Sequence, residues 1–152
     1  MLKGLDPILS PELLWVLASM GHGDDLALVD GNHPAEAMAR QTVSGRLVQL
    51  PGVPIERVAE AILSILPIDD FVPDPIRRME VVGDPKAIPD VQKAVQKVVD
   101  RAAGRKLPMA SIERFAFYEV EKKAFAVVQA GDARPYGCFL IRKGVIAGGR
   151  PA

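Results

Sequence analysis

Apolar positions along this chain recur in two rhythms. Leu13, Leu14, Leu17 and Met20 return at helical spacing behind Ser10-Pro11-Glu12, which supplies a capping serine, a proline at the first helical position and an acid in the first turn. Gly21 then stops the helix. The run Leu26-Ala27-Leu28-Val29 has no alternation, so it predicts a strand buried on both faces. Asp30-Gly31-Asn32-His33-Pro34 leaves that strand in a turn, and Pro34 to Ala39 predicts a short helix. Leu47 to Leu50 predicts a second strand, closed by Pro51-Gly52. From Pro54 an amphipathic helix carries Ile55, Val58, Ile62, Ile65 and Leu66 on one face, and Pro67 ends it.

After a proline-punctuated loop over 69–75, Ile76 to Val82 predicts a half-exposed strand, interrupted by Arg77, Arg78 and Glu80. Pro89 to Ala103 predicts a helix with Val91, Ala94, Val95, Val98 and Val99 inward. Met109 to Arg114 reads as a strand ending in Arg114, Phe115 to Lys123 as a helix, Ala124 to Ala130 as a strong strand and Cys138 to Ile141 as the last strand. Strands and helices alternate throughout. That order predicts an α/β fold: a single layered domain over 1–152, with a mainly parallel sheet flanked by helices.

Composition narrows the classes. Nearly half of the 152 residues are apolar, enough to bury a core. The 19 basic residues balance 19 acidic ones, so no nucleic acid or anionic membrane partner is expected. Cys138 is the only cysteine and no secretory leader pattern opens the sequence, which predicts a reducing, cytoplasmic setting. No apolar run approaches a membrane span.

The candidate chemistry starts at Met20-Gly21-His22-Gly23-Asp24-Asp25. A histidine between glycines is exposed and titrates near neutral pH, as acid–base work requires. The bland alternative is a helix-end histidine favoured by the dipole. Ligands of open parallel sheets sit outside the carboxyl ends of the strands. Asp30, Arg114 and the loop with Tyr136 converge there, although alone they read as a turn former, a surface ion pair and loop packing. His22 precedes the strand and Asp30 follows it, roughly 15–20 Å apart, so one small substrate meets both within one subunit only if the strand is very short or the loop folds back; an interface at which a second subunit completes the site would solve this. A metal site is the competitor, with His22, Asp24, Asp25, Asp30 and His33 as donors, but no paired ligand spacing supports it and none is expected. There is no phosphate loop, and Ser10 and Cys138 lack a neighbouring base in sequence. Lys122-Lys123 and Arg77-Arg78 read as solvated charge pairs, and Trp15 as packing or a subunit contact.

Several blocks together resemble one family. Leu2-Lys3-Gly4, the segment from Ile8 to Leu14, Met20-Gly21-His22-Gly23-Asp24, Asp30 with Pro34-Ala35, Arg114-Phe115-Ala116-Phe117-Tyr118-Glu119, Lys123-Ala124-Phe125-Ala126 and Tyr136-Gly137 are similar to the L-fucose mutarotase / D-ribose pyranase family. The resemblance runs from the first residues to about Gly144. It implies cofactor-free interconversion of the α and β anomers of a monosaccharide by acid–base ring opening and closure. It also implies self-association into rings, commonly decamers, with sites at subunit contacts. His22 matches the proton donor; Asp30, Arg114, Tyr136, Gly137 and Cys138 match substrate-binding positions. The pyranase branch has histidine in place of Arg114 and lacks the Phe-Ala-Phe-Tyr block, so the resemblance favours the fucose branch. Two departures stand out. Cys138 replaces the usual asparagine, and a thiol is a poor substitute for an amide that both donates and accepts. Arg77-Arg78 stands where an apolar stretch is usual. Two rivals remain: a non-catalytic sugar-binding or regulatory protein that keeps the pocket, and a metal-dependent isomerase.

Overall fold

The structure, a computed structural model, describes residues 1–148. Eleven elements follow in order: α1 (Pro11–Ser19), β1 (Asp25–Val29), α2 (Ala35–Ala39), β2 (Leu47–Leu50), α3 (Ile55–Leu63), β3 (Ile76–Met79), α4 (Asp90–Ala103), β4 (Ala110–Ile112), α5 (Arg114–Glu121), β5 (Ala126–Ala130) and β6 (Phe139–Arg142). One six-stranded sheet runs β2-β5-β1-β6-β3-β4. β1 and β2 lie parallel to β5, and β3 lies parallel to β4. β6 is antiparallel to both of its neighbours, β1 and β3. Five strands therefore point one way and β6 alone opposes them, so the sheet is mainly parallel but mixed.

Local signals set the helices. Ser10 Oγ accepts from Leu13 N at 3.2 Å to start α1. Gly104 ends α4 in the left-handed conformation at φ 67°. The sheet divides the core in two. Leu26 and Leu28 of β1 face a layer built from α1, α3 and α4, including Leu13, Val58 and Val95. Ala27 and Val29 face the other side, where Met38 of α2 and Phe117 of α5 pack. A strand that is buried on both faces needs apolar residues at every position, as found.

Several expected boundaries move. The stretch from Ile76 continues only to Met79, and it is largely buried rather than half exposed. The arginines there are not solvated: Arg77 pairs with Asp25 at 2.7 Å, and buried Arg78 donates to Gln92 Oε1 at 3.0 Å. β4 stops at Ile112, and Glu113 caps α5 by accepting from Phe115 N and Ala116 N. Arg114 is consequently the first residue of a helix, not the last of a strand. β5 begins at Ala126 and β6 at Phe139, which leaves Cys138 just outside its strand. Ile65 lies past the end of α3 and is exposed. Trp15 lies off the buried stripe, with the Arg46 guanidinium 4.1 Å from its ring centre. No helix among the described residues is long and apolar enough to cross a membrane.

Candidate functional site

The reversed direction of β6 builds the site. Because β6 opposes β1, the segment leading into it arrives at the same sheet edge as the residues leaving β1 and β4. Asp30, which follows β1, is 3 % exposed, and each of its carboxylate oxygens accepts one backbone bond, which leaves acceptor capacity on both. Oδ1 accepts from Asn32 N at 2.9 Å, and Oδ2 accepts from Gly137 N at 3.0 Å. Two backbone donors so placed hold a carboxylate in one orientation. Glycine suits this close approach: a Cβ at 137 would lie 3.2 Å from both Asp30 Cβ and a methyl of Val91, so those neighbours would have to give way.

Tyr136 precedes it with φ 64°, a left-handed conformation that a non-glycine residue adopts only when its surroundings enforce it. Gln92, fully buried on α4, donates to the Tyr136 carbonyl at 2.9 Å and to the Met79 carbonyl at 2.8 Å. The Tyr136 hydroxyl accepts from Val82 N at 3.3 Å. Arg78 in turn holds Gln92, so the arginine that seemed out of place in the sequence braces the loop that carries Tyr136.

At the rim, Arg114 projects from the first turn of α5 and donates from Nε to the Tyr118 hydroxyl at 3.4 Å. That contact raises its already high pKa, so the guanidinium is a permanent cation. Between these groups lies a cleft of about 300 Å³ lined by Asp30, Asn32, His33, Pro34, Met79, Arg114, Tyr118, Pro135, Tyr136 and Cys138. A larger depression of about 850 Å³ lies on the far side, around Leu63 to Asp70. The smaller cleft is the better candidate because a buried carboxylate, a cation and two phenols converge on it.

Sequence reasoning brings Asp30, Arg114, Tyr136 and Cys138 to this cleft, with Gly137 beneath Asp30. It misses His33, Tyr118 and Glu121. In sequence His33 reads only as a turn residue and a possible metal donor. Its Nε2 lies 2.9 Å from both carboxylate oxygens of Glu121, and its Nδ1 lies 3.4 Å from Cys138 Sγ. No local signal marks the pair: His33 sits in a polar turn, Glu121 among charged residues, and the two stand 88 positions apart.

His22 is not in the cleft. It sits before β1, at the opposite sheet edge from Asp30, as the spacing argument expects. Its ring is half-exposed against Phe71, with centroids 5.2 Å apart, and Nε2 lies 3.2 Å from Asp69 Oδ1. Burial pushes the Asp69 carboxyl up, but the Phe71 N–H and the His22 ring outweigh it and hold the group below the usual range. Among the described residues, no trio of histidine, cysteine or carboxylate side chains is arranged to hold a metal ion.

A mixed-sheet α/β protein with a polar cleft at its strand ends is a binder of, or catalyst for, a small polar molecule. The chain belongs to the RbsD / FucU transport protein family, whose sequence profile matches residues 3–146. It is 42 % identical over 153 residues to fucose mutarotase of Homo sapiens, covering 96 % of this chain and 95 % of that protein. It is 37 % identical over 145 residues to L-fucose mutarotase of Haemophilus influenzae (strain 86-028NP), covering 95 % and 97 %. The crystal structure of the fucose mutarotase of Streptococcus pneumoniae in complex with L-fucose superposes with a TM-score of 0.85 at 31 % identity, covering 96 % of this chain and all of that one.

Proposed function

We propose that this protein is a monosaccharide mutarotase that interconverts the α and β anomers of L-fucose or a closely related sugar without a cofactor. The observation that carries this reading is the Asp30 carboxylate, fixed by two backbone N–H groups on the floor of a cleft with Arg114 and Tyr136 at its rim. The relatives named fucose mutarotase, alike over nearly the whole chain, support the same reading. The cleft lies at the small end of the ~300–1,000 Å³ range typical of small-molecule sites.

Anomer exchange needs the ring to open and reclose on the other face. The anomeric hydroxyl loses its proton as its oxygen becomes the aldehyde carbonyl. The bond from C1 to the ring oxygen breaks, its electron pair stays on that oxygen, and a second group protonates it. Asp30 orients the hydroxyls near the anomeric centre, Arg114 donates to sugar oxygens, and Tyr136 packs on or hydrogen-bonds to the ring. Gly137 keeps Asp30 in place, and Cys138 meets the sugar from the wall of the cleft. His22 serves as proton donor. Because His22 and the cleft occupy opposite sheet edges, the partner subunit's His22 completes the site.

Apolar residues exposed beside each half support that assembly: Phe71 beside His22, and Phe115 and Val82 beside the cleft. A closed ring with the family's decameric symmetry satisfies both faces of every subunit. A single free, buried cysteine fits a cytoplasmic setting.

The deciding experiment is saturation-transfer NMR between anomers of L-fucose, D-ribose and D-galactose, with and without EDTA. Exchange of L-fucose that is fastest of the three and insensitive to EDTA is expected. Binding without exchange would instead make the protein a sugar-binding module, and loss to EDTA would make it a metal-dependent isomerase.

A further inference from the structure

Beneath the cleft lies a buried pair, Glu121 and His33, that the proposed ring opening leaves without a role, and Cys138 joins this pair to the cleft. Glu121, the last residue of α5, has no solvent exposure, and both its oxygens lie 2.9 Å from His33 Nε2. A carboxylate accepts, so Nε2 is assigned the proton, and in the neutral ring Nδ1 is then free to accept. Cys138 Sγ lies 3.4 Å from Nδ1 and 3.7 Å from Asp30 Oδ2, at the wall of the cleft. The thiol has one proton, and His33 Nδ1 is its nearer acceptor.

Packing alone does not call for this arrangement. A buried histidine–carboxylate pair is often no more stable than an apolar pair of equal volume. The rings of Phe117 and Tyr118 that flank His33, 6.3 and 5.5 Å away between centroids, would accept an aromatic or aliphatic neighbour equally well. Nor is the cysteine built as a nucleophile. Burial pushes its ionisation well up, and the Asp30 charge pushes it further. A thiol that receives one proton as it gives up another never has to become a free thiolate.

We propose, building on the mutarotase reading, that Cys138, His33 and Glu121 form a proton relay for the anomeric hydroxyl. As the ring opens, the anomeric O–H bond breaks and its proton goes to Cys138 Sγ. In the same step the original Sγ proton moves to His33 Nδ1, and the partner subunit's His22 gives a proton to the ring oxygen. The imidazolium formed at His33 lies against Glu121, so the charge is compensated where it appears. On closure the protons return along the same path.

The test is steady-state anomer exchange of L-fucose by full-length protein and its variants, with thermal unfolding as the check on folding. Cys138→Ala and His33→Gln are each expected to lower kcat about 30-fold or more, within the range for acid–base catalysis, while KM changes less than about twofold. The double variant is expected to be no slower than the slower single one, because both remove one relay. Cys138→Ser is expected to recover most of the loss, since a hydroxyl also passes a proton. Independently of turnover, ¹⁵N NMR of the His33 ring is expected to show Nε2 protonated and Nδ1 bare. Normal kcat in Cys138→Ala or His33→Gln, effects that multiply in the double variant, or a protonated Nδ1 in the resting protein would each overturn the relay. Unaltered exchange by the variants alongside an active wild type sinks the relay alone. A wild type that exchanges no anomers overturns the mutarotase reading and the relay with it.

Discussion

Gly137 N donates to Asp30 Oδ2 at 3.0 Å, joining the entrance of β6 to the exit of β1 across 107 positions of sequence. This bond ties the acid of the cleft to the one strand that runs against the others. Gly137→Ala places a methyl 3.2 Å from both Asp30 and Val91. The added carbon should cost about 1–3 kcal/mol as overpacking. A shift of Asp30 approaching 1 Å should slow anomer exchange by up to ~10²-fold. Thermal unfolding and saturation-transfer NMR on one preparation measure both effects.

Tyr136 separates strain from binding. Its left-handed backbone costs about 1 kcal/mol relative to glycine. Tyr136→Gly removes that strain together with the acceptor for Val82 N. Melting temperature should therefore change by no more than a few degrees, while KM for L-fucose rises several-fold. An unchanged KM would remove Tyr136 from the binding site.

The proposal that two subunits share each site predicts complementation. His22→Ala should nearly abolish exchange without unfolding the protein, and so should Arg114→Ala. Refolding the two inactive variants together should restore activity, because roughly a quarter of all interfaces in a random equal assembly pair an intact His22 with an intact cleft. Mixing that leaves both dead would place His22 and the cleft on one subunit or remove one of them from the reaction.

Asp132 should govern acid stability. Its Oδ2 accepts from Ile55 N at 3.1 Å, capping α3, which has no side-chain cap of its own. The Arg134 guanidinium beside it, with further backbone donors, holds the Asp132 carboxyl well below the usual range. A depressed acid stabilises the fold above its unfolded pKa of about 3.9 and loses that contribution as pH falls from there toward the folded value. Asp132→Asn should thus cost about 1–2 kcal/mol at neutral pH through the weakened cap. The gap between wild type and variant should close below about pH 4. Denaturant melts at several pH values test this; a gap that widens on acidification contradicts it.

Much of the cleft was legible because its parts are local. An acid at the tip of an apolar run, an arginine at the start of the Arg-Phe-Ala-Phe block and a tyrosine before glycine all stand out in sequence, and all three lie at one sheet edge. His33 was read only as a turn residue and a metal donor, because what gives it a role is Glu121 on α5. Arg77-Arg78 was misread for the same reason. Two adjacent arginines read as a solvated surface until Asp25, from another strand, and Gln92, from α4, are brought beside them.

By itself the sequence determined what depends on near neighbours. Ser10, Pro54, Pro89 and Gly104 set helix ends, since caps and prolines act within a turn. Unbroken apolar runs set the buried strands, and Gly21-His22-Gly23 exposes its histidine. The tertiary structure alone decided the direction of β6, the burial of Arg78, and the meeting of His33, Glu121 and Cys138. These depend on which long-range packing leaves no polar group unpaired, a condition on the whole fold that no single window of residues contains. The separation of His22 and Asp30 by one five-residue strand, in contrast, follows from the sequence, because the length of an extended run is a local property.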